Sequence, residues 1–336
     1  MSDPKTSASP GTPAIGPEVL RIDLLAEADR IAAWMRDALA RQLHRRGLVV
    51  AVSGGIDSSL CAALAVRAVG AARVHALLLP ERDSSGTSTE RGLALVRHLG
   101  VAHEVIDIAP ALEALGCYRQ RDEAIRRVFP AYAEGWKNKI VIAGGLEGGI
   151  NYFKLVVSEP GGALHEARLP IKEYLQIVAA TNFKQRVRKN LDYFHADRLN
   201  FAVVGTPNRL EYELGFFVKG GDGLADIKPI AHLYKTQVYA MARALGLPEA
   251  ICSAAPTTDT YTLPQGQDEF YFALPYAQMD LALWACLRGL APEALGPALG
   301  LDAARARRVY ADIEAKRRAA AHLHAAALTL LEPATA

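Results

Sequence analysis

"VVAVSGGIDSSLCAAL", residues 49–64, decides the reading. An apolar run stops at Ser53, two glycines follow, and a helix-like pattern begins. This is the strand–turn–helix arrangement of a phosphate loop. Gly54 and Gly55 let backbone amides turn toward a ligand. The helix start behind them offers unpaired N–H groups and the positive end of its dipole. Ser53, Ser58 and Ser59 add hydroxyl donors. The Gly-Lys-Ser/Thr of loops that serve γ-phosphoryl transfer is missing, and Asp57 stands inside the loop instead. A carboxylate beside phosphates is repulsive unless a cation lies between them, so Asp57 implies Mg²⁺. Loop and cation together suit a departing pyrophosphate, whose charge rises as the α–β bond of a nucleotide breaks.

Outward from the loop, short apolar runs alternate with helical patterns: "LVVAV", "SSLCAALAVRAVG", "VHALLLP", "TERGLALVRHLG", "HEVIDIA". Strands without alternation, each followed by about three turns of helix, predict an α/β fold: a doubly wound parallel sheet with helices on both faces. An amphipathic helix over 18–44 precedes it. The alternation resumes with a long basic helix over 175–198 and the buried strand "NFAVVG". Between them, residues 130–174 break the pattern and read as an insertion, a hairpin with a flap. "TTDTYTLPQGQDEFYF", 257–272, is too polar and too broken for a helix or strand, and reads as a functional loop. Residues 275–332 read as helical. The expected organisation is a disordered arm at 1–17, a main domain at 18–290 and a helical extension at 291–336.

The charge balance excludes some classes. With 38 basic against 36 acidic residues no global field recruits nucleic acid or a membrane surface. Cys61, Cys117, Cys252 and Cys286 lie far apart without a CxxC pair, which argues against a cysteine zinc site or a disulfide framework and suits a reducing cytoplasm. The first 17 residues carry no apolar signal core. The histidines and Cys252 read as structural, because no Ser-His-Asp or Cys-His pattern accompanies them.

The loop resembles the pyrophosphate loop of the ATP pyrophosphatase superfamily, whose members cleave ATP to AMP and pyrophosphate. The block 203–248 narrows the choice: "VVGTPNRLEYELGFFVKGGDGLADIKPIAHLYKTQVYAMARALGLP". With "ATNFKQRVR" and "APTTDTY", it resembles the ammonia-dependent synthetase domain of NAD synthetases. The resemblance implies an adenine nucleotide alpha-hydrolase-like fold, ATP as co-substrate and Mg²⁺ held by Asp57 and Glu211. It implies ATP contacts from Ser53, Gly54, Gly55, Asp57, Ser58, Ser59, Thr206, Lys235 and Thr257. Arg186, Lys219 and Asp226 would face the acidic dinucleotide deamido-NAD, and Asp222 would orient ammonia. A homodimer is also implied. Residues 1–47 hold no cysteine, so nitrogen is expected as free ammonium or from a separate partner. The His-Lys pair that the family carries before a C-terminal proline is not apparent; the nearest basic cluster is Lys316, Arg317 and Arg318.

Three other readings share parts of this pattern. An amide ligase acting on another carboxylate or amine is motivated by the insertion. An RNA-modifying ATP pyrophosphatase would want a reactive cysteine pair and a larger basic surface. A non-catalytic nucleotide-binding module is opposed by the intact Asp57, Glu211 and Lys235.

Overall fold

Strand β1 (Leu48–Ala51) is the axis of the fold. In this computed structural model, residues 15–143, 152–256, 261–263, 266, 271–272 and 274–329 are described. β1 pairs in parallel with β2 (Val74–Leu78) on one side, Leu48 opposite Val74, and with β7 (Ala202–Val204) on the other, Leu48 opposite Ala202. β3 (Ala102–Val105) closes the other edge, giving the order β3-β2-β1-β7. Successive strand residues point to opposite faces, and both faces are covered. Leu48, Val50, Ala76 and Leu78 pack with α1 (Leu24–Asp37), α2 (Ile56–Val69) and residues of α8 (Lys235–Ala244). Val49, Leu77 and Val203 pack on the other face. There they meet α4 (Ala109–Ala114), α5 (Cys117–Val128) and the 29-residue α6 (Ile171–Leu199). Double coverage is why these strands read as unbroken apolar runs. α3 (Gly86–Leu99) crosses between β2 and β3. The expected doubly wound parallel sheet is the observed one.

Two expectations need correction. The insertion is a three-stranded antiparallel sheet, not a hairpin with a flap: β4 (Lys137–Ala143), β5 (Tyr152–Ser158) and β6 (Leu164–Arg168), in that order. Ile140, Leu155 and Val157 seal one face of it against Ile125 of α5 and Ile177 of α6. The long helix also begins at Ile171, not 175, because Pro170 supplies its extended N-cap, and it ends where Asn200 takes a left-handed conformation (φ 55°).

Beyond β7 come α7 (Arg209–Leu214), α8, α9 (Glu249–Cys252), α10 (Tyr276–Leu287), α11 (Leu295–Leu299) and α12 (Ala303–His324). The helical C-terminal stretch is therefore interrupted, by Pro292 and by Gly300 at φ 65°. α7, α10 and α12 share a core of Leu210, Leu214, Trp284, Val309 and Ile313. α7 stops at Gly215 (φ 76°), where a Cβ would lie 2.6 Å from the Ala320 methyl, so glycine is what lets α12 press against α7. Among the described residues no helix is long and apolar enough to cross a membrane.

Candidate active site

The sheet order reverses between β1 and β7, and the loops that leave these two strands frame a switch-point crevice. After β1, Gly54 adopts φ 80°; a Cβ there would sit 2.1 Å from the Ser88 carbonyl oxygen of α3. The loop serines hold its shape. Ser58 and Ser59 hydroxyls donate to the Gly55 carbonyl at 3.0 and 2.8 Å, and the Ser53 N–H donates to Ser58 Oγ at 3.2 Å. Ser59 is fully buried. Ser53, Gly55, Asp57 and Ser58 line a cavity of about 1220 Å³, whereas Gly54 and Ser59 lie behind its wall.

Three charged groups converge there. Asp57, in the first turn of α2, pairs with the Nζ of Lys235, which opens α8. The Asn208 side-chain amide donates to Asp57 Oδ1 at 3.0 Å. Asn208 also caps α7: its Oδ1 accepts the Glu211 N–H at 3.2 Å, and its own N–H donates to Glu211 Oε2 at 3.1 Å, a capping box. Two carboxylates thus stand near one ammonium, which pairs with Asp57. Burial, then the neighbouring Asp57 charge, pushes the Glu211 acid up to about 8, with Lys235 partly offsetting this. Burial pulls the Lys235 ammonium down, but Asp57 and Glu211 outweigh it and the net direction is up. A buried set short of positive charge, built from hard oxygen donors, fits a divalent cation between Asp57 and Glu211.

Thr206 and Asp222 line the same cavity. Asp222 accepts the Val218 N–H at 2.7 Å, and burial holds its acid above the usual carboxylate range. Arg186, Lys219 and Asp226 are not on the cavity wall. Arg186 Nε donates to the Lys219 carbonyl at 3.3 Å. Lys219 Nζ donates to the carbonyls of His322 at 2.7 Å and Ala325 at 3.3 Å, at the C-terminal end of α12. Asp226 accepts the Val203 N–H at 2.7 Å, tying down β7. Thr257 lies outside the described residues.

The cavity wall includes residues that the sequence reading passed over. One face of α6 carries Asn182, Gln185, Arg188, Lys189 and Asp192 into it. Arg188 Nε donates to the Leu79 carbonyl at 3.1 Å, and Lys189 pairs with Asp192 at 2.8 Å. Their helical spacing was the available signal. Lys184, on the same helix, pairs with Glu81 at 3.0 Å and Asp83 at 2.6 Å and so fixes the loop after β2. A separate grouping, His75, Glu104 and His195, has metal-ligand chemistry and lies away from this cavity. Arg198 already supplies its positive charge, donating to His195 Nδ1 at 3.0 Å and to Glu104 Oε1 at 2.5 Å.

Comparison with known proteins gives this site a family. The pattern described as NAD synthase matches residues 27–129 and 147–320. The NH(3)-dependent NAD(+) synthetase of Rhizobium meliloti is 56% identical over 91% of this chain and 92% of its own length. That of Rhizobium rhizogenes is 52% identical over 95% of this chain and 96% of its own. The NMN synthetase structure from Francisella tularensis has the same fold, with TM-score 0.64 at 23% identity, covering 93% of this chain and all of that one. With its phosphate loop, its Asp57–Glu211–Lys235 set and these matches, the chain belongs to the NAD synthase family.

Proposed function

We propose that the chain is an ammonia-dependent NAD synthetase. ATP adenylates the nicotinate carboxylate of deamido-NAD with loss of pyrophosphate, and ammonia then displaces AMP to give NAD. The observation that carries the reading is the convergence of Asp57, Glu211 and Lys235 beside the phosphate loop in one cavity. It is joined by relatives named for this activity at 56% and 52% identity.

The roles assigned in this reading use that geometry. The loop amides and the α2 N-terminus seat the triphosphate, with Ser53 as a hydroxyl donor and Ser58 holding the loop in shape beside it. Asp57 and Glu211 would hold Mg²⁺, which when bound supplies the charge neutralisation that a leaving pyrophosphate needs. Lys235, buried and held by Asp57, takes the phosphate charge as a point cation. In the first step a carboxylate oxygen bonds to the α-phosphorus and the bond to pyrophosphate breaks. In the second, the ammonia nitrogen bonds to the acyl carbon, AMP leaves, and the surplus proton passes to solvent. The walls keep water from the mixed anhydride. Asp222 is the carboxylate assigned to orient ammonia, and Thr206 an ATP contact.

A homodimer is part of this reading; exposed Ile171 and Leu175, one turn apart on α6, support it. Nitrogen arrives as free ammonium or from a separate supplying partner, and the enzyme works in the cytoplasm. The test is incubation with Mg-ATP, deamido-NAD and ammonium, with products weighed by mass spectrometry. Equal amounts of NAD, AMP and pyrophosphate are expected; intact ATP with this acceptor would overturn the proposal.

A further inference from the structure

The last turns of α6 meet β2 and β3 away from the nucleotide cavity, and each element brings one metal-ligating side chain to that point: His195, His75 and Glu104. Both imidazoles are buried, and the carboxylate is partly open to solvent. The three ligand atoms lie within 4.8 Å of one another. Glu104 Oε1 stands 3.1 Å from His75 Nε2 and 3.4 Å from His195 Nδ1. At ordinary zinc bond lengths, nitrogen and oxygen ligands sit about 3.3 Å apart along the edge of a tetrahedron. Two edges of such a site are therefore in place.

A cation already occupies the position that these atoms face. One terminal nitrogen of the Arg198 guanidinium lies 2.5 Å from Glu104 Oε1 and 2.8 Å from His195 Nδ1, so both ligand atoms converge on positive charge. His75 takes no share in this. Its Nε2 is buried, faces Glu104 without the alignment of a hydrogen bond, and has no hydrogen-bond partner among the described residues. A buried ring nitrogen left unpaired is costly and calls for an explanation. A metal ion would engage it together with the other two. Burial holds the His75 imidazole below its ordinary pKa, so the ring is neutral at pH 7 and keeps a nitrogen lone pair for a metal.

We propose that His75, Glu104 and His195 form a site for a transition-metal dication such as Zn²⁺, which Arg198 guards as a competing internal cation. The Arg198 side chain is partly exposed and can swing into water, leaving the remaining coordination position to solvent. The third edge, between the two imidazoles, closes as His195, released from Arg198, turns by about an ångström toward the ion. Two imidazoles and one carboxylate favour Zn²⁺ over Mg²⁺, which seeks oxygen, so the site does not compete with Asp57 and Glu211 for their ion. His195 lies three residues beyond Asp192 of the cavity wall. A bound ion would therefore staple the helix that carries this wall to the edge of the sheet.

The test is Zn²⁺ binding to the untagged full chain by equilibrium dialysis, with millimolar Mg²⁺ present to fill the position between Asp57 and Glu211. The wild type should hold one equivalent. His195→Gln should weaken its binding by about a hundredfold. Arg198→Ala, which removes the competing charge, should tighten it by at least about tenfold. Co²⁺ in place of Zn²⁺ should give the visible absorption of a nitrogen and oxygen site, without the charge-transfer band that a cysteine thiolate would add. No binding by the wild type, an equivalent that survives intact in His195→Gln, an affinity unchanged in Arg198→Ala, or a thiolate band would each overturn the assignment. Arg198→Ala alters a partly exposed side chain and keeps the question decidable should His195→Gln fail to fold.

Discussion

Asn208 joins the two carboxylates of the site: its side-chain amide holds Asp57 at 3.0 Å while its backbone N–H holds Glu211 at 3.1 Å. The separation of two groups far apart in sequence is thereby set by one fully buried residue. Removing its side chain should free Asp57 directly and loosen Glu211 through the lost cap on its N–H. Asn208→Ala is expected to lower kcat/KM by 10–100-fold and raise the Mg²⁺ concentration for half-maximal rate, as loss of an orienting neighbour does. The lost helix cap should cost about 1 kcal/mol in denaturant unfolding. A Mg²⁺ titration that superimposes on the wild type would contradict the role.

Asp57→Asn and Glu211→Gln should each retain the fold and lose pyrophosphate release, by about a thousandfold. Circular dichroism and a coupled pyrophosphate assay read both properties. Glu211→Gln should be no less stable than the wild type, because it removes a buried carboxylate facing another. Unchanged turnover in either variant would sink the metal assignment.

Gly54→Ala places a methyl group 2.1 Å from the Ser88 carbonyl at a residue with φ 80°. α3 and the loop must then part. A rise of at least tenfold in the ATP KM is expected, with a smaller change in the acceptor KM, measured by initial rates.

Asp280 provides a pH test. It accepts the N–H groups of Lys235 and Thr236 and the Thr236 hydroxyl, and burial pushes its acid up to about 6 despite these bonds. A carboxyl whose pKa is raised on folding contributes stability that is complete below the unfolded value of about 3.9 and is lost as pH rises through the folded value. The stability advantage of wild type over Asp280→Asn should therefore shrink between pH 4 and 6.5, by roughly 2 kcal/mol. Denaturant unfolding of both proteins at several pH values measures it; a constant difference would refute the linkage.

The loop and the strands around it were legible because backbone chemistry leaves few options there. Two glycines after a buried strand and an acid where a lysine is usual both have local causes. Helical phase was harder to read. In "NFKQRVRK" the eye falls on Arg186, yet 185, 188, 189 and 192 are the positions that share the cavity face. Lys219, expected to meet the dinucleotide, also caps α12, a contact set by tertiary packing across a hundred residues of chain that no local pattern announces. β6 escaped notice because an edge strand of largely exposed, charged residues carries no apolar alternation.

The position of β1 has a bearing on how the molecule comes into being. Its partner on one side, β2, follows within a short stretch of chain, but the partner on the other, β7, is made only after the insertion and the whole of α6. A nascent chain that has emitted the phosphate loop therefore carries β1 with one bare edge, open to mispairing until residue 204 has emerged. Non-local closure of this kind slows folding. The nucleotide pocket is thus among the last features to form, and unfinished chains lack the β7 side of it altogether.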